Sequence, residues 1–108
     1  MKGPEEVARA LNERLSEELA AIHQYIMFSR CLQLQGLHQL RKWFEREILD
    51  ELGHASTLTH RILFLGYEPD MASLAPFDTT HDPQEMINLS RLAELDAIHR
   101  YNETINLC

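Results

Sequence analysis

Cysteine is nearly missing from this sequence. Cys31 and Cys108 are the only two among 108 residues, too few for a disulfide framework and spaced for no metal knuckle, so both read as ordinary thiols. Equally lacking is any apolar run of about 18 residues, or a basic segment followed by an apolar one at the start. Neither a membrane span nor a secretory signal is therefore expected, and the chain reads as soluble and cytoplasmic. Positive charge is short as well, with 10 Lys and Arg against 17 Asp and Glu and a formal charge of −7. That balance argues against nucleic acid or an anionic membrane as partner and suits a protein that attracts cations. Strand-like alternation and low-complexity tracts are absent.

What is present is long helical periodicity. Gly3 and Pro4 precede Glu5 and Glu6, which places proline at the first helical position and acids in the first turn, where the helix dipole favours them. The pattern predicts helices over 4–35, 38–65 and 83–108. Gly36 ends the first, Gly66 and Pro69 end the second, and Asp82, Pro83 and Glu85 start the third as N-cap, first position and capping-box acid. Helices of about 30 residues, near 45 Å at 1.5 Å per residue, mean a bundle. The stretch from Gly66 to His81 holds two of the four prolines and suits a crossover along the bundle better than a tight hairpin. The expectation is an all-α helical bundle forming one domain over residues 1–108. A chain this short buries only about 65% of the surface it exposes when unfolded, so oligomerisation is expected.

Steps of three and four pick out one stripe per helix. The first gives Leu11, Leu15, Glu18, Ile22, Tyr25, Ser29 and Leu32; the second gives Leu40, Phe44, Glu47, Glu51, His54, Leu58, Ile62 and Leu65; the third gives Ile87, Arg91, Glu94, Ile98, Tyr101, Ile105 and Cys108. Carboxylates thus interrupt all three seams. A lone carboxylate in a bundle core costs several kcal/mol unless it is paired, protonated or bound to a cation, and a metal would answer for several at once. Glu51 and His54 form E-x-x-H, whose side chains sit nearly one turn apart and can converge on one ion. A Glu from each of two helices, with E-x-x-H from each of the other two, is the di-iron carboxylate pattern of four-helix bundles. Oxygen and imidazole donors without thiolate suit iron or manganese. The competing reading is a surface helix carrying Glu18 or Glu94 at the edge of its stripe, and Glu47 reads as such an edge residue. The phrase at 18–25, ELAAIHQY, returns at 94–101 as ELDAIHRY, so Glu94 repeats Glu18.

The blocks MKGPEEVARALNERLSEELAAIHQY, EREILDELGHASTLTHRILFLGYEP and AELDAIHRYNETI resemble the bacterioferritin branch of the ferritin-like family, in order and spacing along the whole chain. The resemblance implies a four-helix bundle subunit and a homo-oligomeric shell built from twofold dimers. It further implies oxidation of Fe(II) by O2 or peroxide at a di-iron site before ferric storage. Glu18, Glu51 and His54 would then hold one iron, Glu51 would bridge to the second, Glu94 would be a terminal ligand there, and Tyr25 matches a tyrosine kept near the centre. Three departures stand out. Leu52 occupies the place of the haem-binding methionine and offers iron no lone pair, so no haem is expected. Arg46 stands where some members carry a histidine, leaving Asp50 a poor inner-surface site. The chain also stops at Cys108, about 20 residues before the repeat would place a second E-x-x-H.

That end leaves four of the six ligands the pattern requires, together with an uncovered apolar seam expected to drive association. The domain is thus expected to be incomplete at its C-terminus. Shortening of a longer protein, a missing helix donated by a second type of subunit, or twofold pairing of two Glu18 and E-x-x-H sets would each account for it. The alternative function is a non-catalytic structural or assembly subunit; a haem-carrying electron-transfer cage is a third reading, opposed by Leu52. His23 and His99 lie one residue off their stripes and read as exposed. The pairs Asp96 with His99 and Asp78 with His81 are not expected to bind metal.

Overall fold

The computed structural model describes residues 2–107. Within them the chain forms α1 (Glu5–Gln35), α2 (His38–Phe64) and α3 (Pro83–Leu107). Cys108, expected to close the third helix, lies outside the described residues.

Local chemistry sets most of the boundaries. Gly36 takes a left-handed φ of 76°, and its N–H donates to the Gln33 carbonyl at 3.2 Å while that of Leu37 donates to Leu32 at 3.0 Å. Two orphan carbonyls of α1 are thereby satisfied, and only a residue without Cβ takes that φ at no steric cost. Gly66 repeats the motif after α2, with its own N–H on Leu63 and that of Tyr67 on Ile62. Pro4 departs from its expected place. It is the N-cap of α1, with an extended ψ of 131°, and it contributes its carbonyl to Ala8. Asp82 caps α3 by accepting from the Gln84 N–H at 3.2 Å. The return bond expected of Glu85 is replaced, because the Asp82 N–H donates to Thr80 Oγ1.

The helices form an elongated body of 52 × 21 × 19 Å. At one end the Gly3 N–H donates to the Leu65 carbonyl at 2.8 Å and Tyr67 Oη–H donates to the Gly3 carbonyl at 2.7 Å. At the other end Arg30 pairs with Glu45. α1 and α2 therefore run antiparallel. Residues 66–82 form the expected crossover along α1. The Asn12 amide donates to the Glu68 carbonyl, the Ala75 N–H donates to the Ser16 carbonyl, and Gln24 and Gln35 donate to the carbonyls of Asp78 and His81 at 2.8 Å each. α3 then returns antiparallel to α1 and packs on it, while the backbones of α2 and α3 stay apart among the described residues.

Two apolar clusters hold the assembly. Val7, Leu11, Leu15 and Ile22 of α1 meet Ala55, Leu58 and Ile62 of α2. Tyr25, Phe28 and Leu32 meet Phe44 and Met86, with the Phe28 and Phe44 rings edge to face at 5.4 Å, a favoured aromatic geometry. Every residue of the α1 stripe is buried. On α3 the residues buried against α1 are Met86, Ser90 and Thr104, while Arg91, Glu94, Ile98 and Ile105 of its stripe are exposed. The α3 stripe borders the space between α2 and α3, where Glu94, Ile98 and Tyr101 line the same cavity as Glu18, Glu51 and His54.

Candidate metal centre

Between the two apolar clusters lies a polar layer. Glu18 on α1 is 6% exposed, and α2 places Glu51 and His54 opposite it. His54 Nδ1 is 3.5 Å from Glu18 Oε2 and 3.5 Å from Glu51 Oε2, and one donor atom from each of the three residues lies within 4.8 Å of the other two. These separations are long for hydrogen bonds. They suit donors sharing one ion, since ligands about 2.1 Å from a metal sit roughly 3 to 3.5 Å from one another.

The division of labour at Glu18 sharpens the fit. Its Oε1 accepts the Tyr101 hydroxyl at 2.8 Å, whereas Oε2 is buried with no hydrogen-bond partner. An unpartnered buried carboxylate oxygen is costly, and a cation would remove the cost. Without one, burial raises the Glu18 pKa above 4.5, against the lowering effects of the Tyr101 bond and of His54. The residues present thus match a hard or borderline divalent cation in both donor type and placement.

Tyr25 and Glu94 lie further along the same cavity, an opening of about 1080 Å³ that also borders Glu47 and Leu58. Tyr25 is buried against Phe28 and Phe44; burial first, then Glu94, Glu47 and Glu18, raise its hydroxyl pKa. Glu94 is exposed and does not join the three clustered ligand residues. Glu47, expected at a stripe edge, is half-buried in the cavity wall, and burial followed by Glu94 and Asp50 raises its pKa. The layer is also less dry than a bundle core implies, because the His54 side chain is 58% exposed. Leu52 is 49% exposed on α2. His23 and His99 are exposed, His23 bonding to the Leu19 carbonyl and His99 pairing with Glu103. Neither Asp96 with His99 nor Asp78 with His81 forms a ligand group among the described residues.

Two features escaped the sequence. One is the Tyr101 contact, although the repeat gave the available signal, since Tyr101 stands in its phrase where Tyr25 stands in the other. The second is the buried Arg14. Its guanidinium holds both Glu17 oxygens at 3.0 and 3.1 Å and donates to the Arg100 carbonyl and to Thr104 Oγ1 at 3.2 Å each. Arg100 closes the network onto Glu17. This fork ties α3 to α1 one turn from Glu18, and a bidentate guanidinium fixes orientation as well as distance.

A family model described as Ferritin, Ferritin-like domain, matches residues 8–108. Among known proteins, the bacterioferritin of Rhodobacter capsulatus is 35% identical over 108 residues, all of this chain and 67% of its own length. That of Streptomyces coelicolor is 36% identical over 107 residues, covering 99% of this chain and 64% of its own. A bacterial ferritin of Synechocystis sp. is 36% identical, covering 100% and 69% respectively. The Rhodobacter capsulatus bacterioferritin is also a structural match, with a TM-score of 0.95 at 35% identity over 100% of this chain and 68% of that one; it was solved with a metal-free dinuclear site and a haem iron in a crystallographic special position. This chain spans about two thirds of the length of these relatives.

Proposed function

The chain belongs to the ferritin-like family, and from that premise we propose that it takes up Fe(II) as substrate at Glu18, Glu51 and His54 and serves in iron storage and detoxification. The observation that carries the reading is the buried, unpartnered Glu18 Oε2 beside His54 Nδ1 and Glu51 Oε2. Glu94 would approach a second iron from α3, with Glu51 shared between the two, and Tyr25 standing beside that position. Each ferrous ion gives up one electron, so a pair reduces O2 to hydrogen peroxide, or hydrogen peroxide to water, with protons taken from solvent. The protein's contribution is a fixed donor set and a partly desolvated cavity. The working form would be a cytoplasmic homo-oligomeric shell built from twofold dimers, with no haem at Leu52. A Soret band in the purified protein would overturn that last point. Replacing Glu51 and His54 together by Ala is expected to abolish Fe(II)-dependent oxygen or peroxide consumption and bound metal; uptake and stoichiometry equal to wild type would sink the reading.

A second reading is a non-catalytic structural or assembly subunit. It draws on the exposed Glu94, which lies outside the ligand cluster. Native mass spectrometry separates the two: two tightly held irons per chain dismiss the structural reading, and one or none favours it.

A further inference from the structure

We propose that Tyr101 is a positioning residue of the metal centre, holding Glu18 by Oε1 so that Oε2 alone is presented to the cation. The inference rests on the metal reading of Glu18, Glu51 and His54 and adds a residue from α3 to it. A glutamate side chain has several rotatable bonds and loses rotamer entropy when it is fixed. A single phenolic donor at 2.8 Å, an ordinary distance for O–H···O, selects one rotamer and one oxygen. The remaining oxygen is the buried atom without a partner, and it is the one nearest His54. Tyr101 is itself located from two sides. It packs, partly buried, against the apolar cluster shared by α1 and α2, and the carbonyl of Arg100 and the hydroxyl of Thr104, flanking it on α3, are both held by Arg14. The phenol thus reaches Glu18 from a helix whose rotation is fixed, as a supporting hydrogen bond to a ligand requires.

The test uses the full chain with Co(II), an air-stable divalent probe whose visible spectrum reports its ligand field. Tyr101→Phe removes the hydroxyl and keeps the ring. The expected result is roughly 10-fold weaker Co(II) binding, the lower end of the usual effect of losing such a support, with an altered Co(II) spectrum and an unchanged circular dichroism spectrum. Affinity and spectrum coinciding with wild type overturn the inference while leaving the metal site standing. Absence of Co(II) binding by wild type overturns the metal reading and this inference with it. If Tyr101→Phe does not fold, Tyr25→Phe leaves Tyr67 and Tyr101 as the tyrosines, with Tyr67 bonded to Gly3 at the bundle end. A Co(II)-dependent shift of the tyrosine ultraviolet band then supports the inference, and no shift overturns it.

Discussion

Glu18 is under opposing demands. Burial favours its protonated form, since the raised pKa means that the native chain binds more protons than the unfolded one above the ordinary value of 4.5. The stability this contributes is fully present below 4.5 and is lost as pH rises through the folded value. Glu18→Gln removes the dependence. In the chelated protein its unfolding free energy should therefore exceed that of wild type by a margin that grows as pH rises above 4.5, reaching about 1 kcal/mol. Calorimetry of both proteins across that range checks the sign, and a constant difference refutes it. Added Co(II) should reverse the ranking, because ligand binding stabilises only the protein that retains its site. Glu45 and Asp70 have lowered pKa values, Glu45 through Arg41 and Arg30 and Asp70 through Ser73 and Ala72, so they act in the opposite direction and cancel in the comparison.

At the scale of elements, Arg14 gathers several of the polar contacts that join α1 to α3, beside the packing of Met86 and the Tyr101 bond to Glu18. Arg14 satisfies Glu17, Arg100 and Thr104 together, and among the described residues α3 meets no compensating backbone contact with α2. Arg14→Met keeps the aliphatic stem but removes every donor. It should cost about 2 kcal/mol in urea unfolding, the range for hydrogen bonds to a charged group. It should also weaken Co(II) binding through the looser placement of Tyr101; a melting curve and affinity matching wild type would show that α3 is held otherwise. Every α1 residue that periodicity placed on the stripe is buried, because α1 is covered by α2, α3 and the crossover; that wider cover also buries Arg14, Gln24 and Phe28, which lie off the stripe. On α3 it found side chains that share a face, among them Glu94, Ile98 and Tyr101, which line one cavity with Glu18, Glu51 and His54, but not which residues of α3 are buried against α1. Spacing says which side chains share a face, whereas the neighbour that covers it is chosen by contacts such as those of Arg14.

For the whole molecule, the backbones of α2 and α3 stay apart among the described residues and leave an open cavity between them. Leu92 and Ile98 border it, each 62% exposed, and adjoining apolar exposure of this kind favours association. The chain should self-associate at micromolar concentration, and Ile98→Asp should weaken that association about tenfold in sedimentation velocity. Equal behaviour of the two proteins would remove the cavity from the contact.

The sequence by itself determined what depends on neighbours along the chain: the three helices, the glycine stops at 36 and 66, the Asp82 cap, and the convergence of Glu51 with His54, since rise and rotation per residue fix those relations wherever the helix sits. Only the tertiary structure decided the distance at which Glu18 meets that pair across the interface, which of its oxygens is left without a partner, and that Tyr101 bonds to the other. Those distances depend on helix register and rotation, which are set by how Phe28 locks against Phe44 and how Arg14 grips α3. A few degrees of rotation move a carboxylate by ångströms at the end of its side chain, and no spacing within one helix encodes that.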